Sequence, residues 1–167
     1  MKIIIFIINI IPLIMSNKIF NDESEDMLLN IRNSNKNTKK FTLENQIKIC
    51  KVVDVYDGDT CRVVFNLNNQ LNKWTIRMNG YDTPEMRPSR NLENRDEIKK
   101  KAIESRDYLK SLIMNENQLV YLHCGEFDKY GRLLGEIYVN KDDEKSVNQL
   151  MVENKYGYVY HGGTKQS

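Results

Sequence analysis

The stretch from Ile47 to Phe65, IKICKVVDVYDGDTCRVVF, decides how the rest of the chain is read. Ile and Val crowd residues 47–56, and β-branched residues favour a pleated strand. Asp57-Gly58 is a turn dipeptide, and residues 60–65 resume the apolar pattern, so the two runs form a hairpin. Downstream, residues 66–72 read as a polar turn and residues 74–78 (WTIRM) alternate as a third strand. Residues 79–85 contain Gly80 and Pro84, which argue against regular structure, and residues 86–94 are a polar loop carrying Arg87, Pro88 and Arg90. Over residues 97–115, Ala102, Leu109, Leu112 and Ile113 recur at helical spacing.

Two further strands follow at 119–124 and 133–139, separated by a charged loop at 125–131. After a charged turn at 140–145, Ser146 caps a helix over 147–154, and an aromatic tail, YGYVY, ends at Tyr160. Three strands, a helix, two strands and a helix suit an α+β, mainly β fold. The expected architecture is a five-stranded Greek-key barrel of the oligonucleotide-binding type with two or three helices.

Upstream of the hairpin the composition changes. Lys2 is followed by an apolar run, residues 3–15, of the length of a secretory signal core and short for a membrane span. Asn9 and Pro12 interrupt it, and no small-x-small cleavage site follows. Residues 1–16 are therefore expected to be a hydrophobic leader, a signal peptide or an anchor, and the chain's one means of membrane contact. That points to secretion or membrane anchoring. Cys50, Cys61 and Cys124, odd in number and without a CxxC pair, point instead to a reducing compartment such as the cytoplasm. They read as small core residues. Residues 17–45 read as a polar linker, low in complexity at NSNKNTKK, so the folded domain is expected over 46–161 with a flexible tail at 162–167.

The 25 Lys and Arg against 23 Asp and Glu leave a net charge of only +2, so any polyanion must be held by local placement of cations. Two acidic motifs stand out. Asp57-Gly58-Asp59-Thr60 sits at the hairpin, and Asp82-Thr83-Pro84-Glu85 follows the third strand. Hard oxygen ligands gathered on one rim suit Ca²⁺ or Mg²⁺, and no His/Cys cluster suits zinc. Alone, DGDT is more often an ordinary turn than a metal site. Arg77, five residues before Asp82, and Arg132, in DKYGR, are groups that stabilise charge on a phosphate. Alternation along the third strand leaves Arg77 inside or outside the barrel. Tyr130 reads as a binding residue, whereas Tyr156, Tyr158 and Tyr160 fit binding and packing equally. His123 and His161 have no matched role.

Together, VVDVYDGDT, RMNGYDTPE, FDKYGR with GEIYV, and YVY, in that order over residues 47–160, resemble the staphylococcal nuclease (thermonuclease) family. The resemblance implies a Ca²⁺-dependent endonuclease hydrolysing DNA and/or RNA; a preference for single strands and a monomeric state are expected alongside it. It implies metal ligation by the Asp59 and Asp82 carboxylates and the Thr83 carbonyl, with Glu85 as general base. Arg77 and Arg132 would act on the scissile phosphate, Lys129 and Tyr130 on a terminal phosphate, and Tyr158 and Tyr160 on the nucleotide. The sequence departs from the family pattern after Glu85, where MRPSR replaces a Lys-rich stretch, and at the start of the long helix. With seven residues after Tyr160, the family's last helix is expected to be missing. The alternative is a non-catalytic module of the same fold that binds nucleic acid or protein.

Overall fold

The computed structural model describes residues 24–115 and 118–160. The expected leader at 1–16, the start of the linker, His161 and the tail at 162–167 lie outside the described residues. The chain divides into two units, Met1–Phe41 and Thr42–Ser167. In the first, the expected linker carries a helix, α1 (Glu25–Arg32), which begins where the Ser24 hydroxyl accepts from the Met27 N–H. Its eight residues are all unburied, including the apolar cluster Met27-Leu28-Leu29.

The second unit is a closed barrel of β1 (Ile47–Asp57), β2 (Thr60–Leu67), β3 (Gln70–Met78), β5 (Val120–Phe127) and β6 (Leu133–Tyr138), in the order β1-β2-β3-β6-β5. β1 serves two neighbours: Ile47–Cys50 pair with β5, and Lys51–Asp57 pair with β2. Two register shifts late in β1 bend it, as bulges do, and bring the DGDT turn to the barrel rim. Alternate residues fill the interior: Val63 and Phe65 from β2, Val120 and Leu122 from β5, Leu133 and Ile137 from β6. All three cysteines are buried, and burial pushes their thiols above the usual range, Cys50 to about 12. Leu43, upstream of the expected domain start, is fully buried in this core.

Several elements differ from the sequence reading. The β2–β3 turn is two residues, Asn68 and Asn69, both at positive φ, which Asn tolerates. β3 therefore starts at Gln70 rather than 74. β5 continues through 127, because Phe127 pairs with Leu133 across a register shift. Residues 79–85 are not wholly irregular: β4 (Tyr81–Asp82) pairs antiparallel with β7 (Tyr158–Val159) in a separate two-stranded ladder. The long helix α2 (Arg95–Ile113) buries Ala102, Ser105, Leu109 and Ile113 on one face. α3 (Val147–Glu153) opens with a capping box, the Ser146 hydroxyl on the Gln149 N–H and the Gln149 side chain on the Ser146 N–H. Asn148 ties α3 to the barrel. Its amide bonds Ile137 N–H and the carbonyls of Asn79 and Gly135.

Candidate active site

The β1–β2 turn, the end of β3 and β4 meet at one rim. The Thr60↔Arg77 pairing sets Asp59 beside Arg77, and the tight chain from Met78 to Tyr81 folds Asp82 back onto the same guanidinium. Arg77 is buried. Its Nη1 donates to the carbonyls of Met78 (2.8 Å) and Tyr81 (3.0 Å), and its Nη2 to Asp82 Oδ1 (3.0 Å). Nη1 also lies 3.4 Å from Asp59 Oδ1. Its place, open to either side by alternation, is thus on the inside of the site.

Asp59 and Asp82 converge on Thr83. The Thr83 N–H lies 3.1 Å from Asp59 Oδ2 and 3.1 Å from Asp82 Oδ1, and the Thr83 hydroxyl donates to Asp59 Oδ2 at 2.9 Å. Two buried carboxylates thus share one buried guanidinium. Burial pushes the Asp59 carboxyl up to about 7, even with Arg77 pulling it down. A second positive charge would relieve that cost. The donors are hard oxygens alone, which fits a Ca²⁺- or Mg²⁺-like cation. Among the described residues no group of three or more His, Cys, Asp or Glu side chains has metal-binding geometry, so Thr83 and solvent would have to complete the coordination. Glu85 is exposed, three residues beyond Asp82.

Arg132, Lys129, Tyr130 and Tyr160 line a pocket of about 370 Å³ together with Arg77, Gly80 and Tyr81. The loop that carries them is organised by Asp128, a residue the sequence motif contains but whose role was not read from it. Asp128 Oδ1 accepts from the Tyr130 and Arg132 N–H groups, and Oδ2 accepts from Arg132 Nε at 2.7 Å. Partial burial pushes this carboxyl up, but the Arg132 and Tyr130 bonds outweigh it and hold it below the usual range. The Arg132 and Lys129 cations sit 5.6 and 5.0 Å from the centre of the exposed Tyr130 ring. Tyr158, half-buried, donates to Asp82 Oδ2 at 3.3 Å, so it reaches the acidic pair, whereas Tyr160 and not Tyr158 lines the arginine pocket. Tyr156 stacks on Tyr108 at 4.1 Å, which packs one face of its ring. His123 is an exposed strand residue tilted against Tyr138.

Two more residues hold the acidic turn. The buried Tyr81 hydroxyl donates to the Gly58 carbonyl at 2.8 Å. Ser105 of α2 presses against Gly58 and donates to the Tyr156 carbonyl at 2.7 Å. A small polar residue at helical spacing from Ala102 and Leu109 was the available signal for Ser105. Nothing local marked Tyr81.

A family model described as staphylococcal nuclease homologue matches residues 75–166, which include every candidate residue except Asp59. The chain is also 27% identical over 124 residues to uncharacterized protein MJ1439 of Methanocaldococcus jannaschii. That alignment takes in 66% of this chain and 58% of the relative, so the chain spans little more than half the relative's length. With the family match extending over more than half of the sequence and a five-stranded barrel carrying the motifs, the chain belongs to the staphylococcal nuclease homologue family.

Proposed function

We propose that this protein is a Ca²⁺-dependent endonuclease that hydrolyses phosphodiester bonds of DNA and/or RNA, preferring single strands. The observation that carries the reading is the buried convergence of Asp59, Asp82 and Arg77 beside the pocket that holds Arg132. A barrel serving only as a binding surface gains nothing from burying two carboxylates on one guanidinium, an arrangement that costs desolvation.

Asp59, Asp82 and Thr83 would hold the cation, which when bound supplies Lewis-acid polarisation of a phosphoryl oxygen. Arg77 and Arg132 bind the other phosphate oxygens and stabilise the charge that grows on them. Arg77 is pre-aimed by its two carbonyl bonds, and Arg132 by Asp128 at Nε, which leaves its terminal nitrogens to face a ligand. Glu85 orients a water and takes its proton. Lys129 and Tyr130 contact a neighbouring phosphate, and Tyr158 and Tyr160 flank the nucleotide; a stacked base on such a ring contributes about 1–3 kcal/mol.

The test is incubation of the full chain with labelled single-stranded oligonucleotides and plasmid, with Ca²⁺ or with chelator. Chelator-sensitive cleavage is expected, and its absence removes the enzyme reading. Glu85→Gln and Arg132→Ala should each lower turnover by about two to three orders of magnitude. Near-wild-type turnover in either variant reassigns that residue.

A further inference from the structure

The two-residue β4–β7 ladder separates two grooves. At one end, Gly80, Tyr81 and Tyr160 belong to the arginine-lined pocket. At the other end, Pro84 and Tyr158 belong to a second groove of about 350 Å³, whose further walls include Lys101, Glu104, Lys155 and Tyr156. Asp82, paired with Tyr158, lies between the two.

The second groove carries two lysines against one carboxylate, and Glu104 already has Lys100 at 4.0 Å on its own helix. Lys101 is bonded to Glu97 at 2.7 Å, but both side chains are more than half exposed, and such a pair yields readily to a better anion. Lys155 stands just past α3 at a φ of 63°, a position where Gly or Asn is the ordinary choice. Its N–H is fixed on the Val152 carbonyl. The chain thus holds a cation on a strained backbone where a neutral residue would fold more easily. Tyr156 is braced on one face by Tyr108, and a ring so braced is a rigid wall for a base.

We infer that this groove binds the single-stranded nucleic acid on the far side of the scissile phosphate, with Lys101 and Lys155 on backbone phosphates and Tyr156 against a base. The assignment relies on the proposed hydrolase site only to say where the scissile phosphate lies. The substrate is then a polynucleotide gripped on both sides of the cut rather than a mononucleotide end.

Fluorescence anisotropy of a labelled single-stranded 12-mer with the full chain in chelator, over a salt series, tests this without cleavage. The variant is Lys101→Gln/Lys155→Asn, Asn being chosen because it accepts positive φ. Lys73→Gln/Lys141→Gln removes the same charge from exposed residues that line neither groove. Loss of two phosphate contacts should lower the slope of log affinity against log salt by about 1.4, or about 25-fold per tenfold change in salt. Each single substitution should give about half that slope change, and the control pair none. A thermal melt confirms that each variant is folded. Equal slopes for the groove variant and wild type, an equal change in the control pair, or no binding by wild type overturns the proposal. Failure of the hydrolase reading would appear separately, as no chelator-sensitive cleavage by a protein that still binds.

Discussion

Gly58→Ala isolates what the DGDT turn requires of its glycine. Gly58 does not occupy the left-handed region, where Gly80 and Gly131 are found, so its backbone is open to alanine. The constraint is space. A Cβ at Gly58 would stand 2.8 Å from Ser105 Cβ and 2.8 Å from Thr83 Cγ2, against an ordinary carbon contact of about 3.5–4.0 Å. Neither neighbour is the end of a flexible side chain. Ser105 sits in α2, and Thr83 is tied to Asp59 through both its N–H and its hydroxyl. Where space allows, Gly→Ala stabilises by about 0.4–1 kcal/mol through the unfolded chain. Overpacking costs about 1–3 kcal/mol, so the clash wins and a net loss of about 1–2 kcal/mol is expected. For a unit of this size that is a fall in Tm of about 4–8 °C. Because Thr83 must shift, the rise in Tm that the proposed Ca²⁺ site predicts should shrink as well. Adding Ser105→Gly removes one of the two clashes, so the double variant should lose less than the sum of the singles. Thermal melts of the full chain with and without Ca²⁺ measure all three quantities. A Gly58→Ala protein that melts at or above wild type would refute the close-approach argument and return Gly58 to the role of an ordinary turn residue.

Tyr81→Phe deletes the hydroxyl that holds the Gly58 carbonyl and leaves that buried acceptor unsatisfied, at a cost of about 1–3 kcal/mol. Turnover should fall while oligonucleotide affinity in chelator is retained; an unchanged Tm would show that the bond contributes nothing. Asp128→Asn releases Arg132 Nε and should lower turnover by about 10–100-fold, since one orienting charge-assisted bond is weakened. The folded-state carboxyl of Asp128 is held low, so its stabilisation is present above the unfolded-state pKa and is lost as pH falls through the folded one. The denaturation midpoints of wild type and Asp128→Asn should therefore differ at pH 7 and draw together progressively as pH falls below the ordinary Asp range. A gap that does not narrow at all as pH falls through the acid range would exclude the charge as its source.

The hairpin, the long helix and the acidic motifs were legible because each is written in local chemistry: β-branched runs, a turn dipeptide, a 3.6-residue period. What escaped depends on contacts made elsewhere. The β4–β7 ladder is two residues long and its partners are about 80 positions apart, so Gly80 and Pro84 hid it. Leu43 stands two positions after the exposed Phe41 in a polar stretch, and only the core it enters distinguishes it. Asp128 could have been read from its spacing, since an Asp whose side chain accepts from the N–H two residues on is a common turn device.

Arg77 shows most clearly where pattern reading stops. Strand alternation assumes one face on the core and one in water, and it left this residue undecided between them. The end of β3 breaks that assumption: Ile76, Arg77 and Met78 are all buried. The apolar pair faces the barrel interior, while the guanidinium is covered from the other side by the Tyr81 carbonyl, Asp82 and Asp59. The same loss of period recurs at Gly58–Cys61 and at Tyr81–Thr83, three consecutive buried runs that meet at one rim. A charged residue inside such a run must be met by opposite charge, or the burial is too costly to persist. Here one cation meets two carboxylates, and the cation proposed to bind at the rim would make up that shortfall.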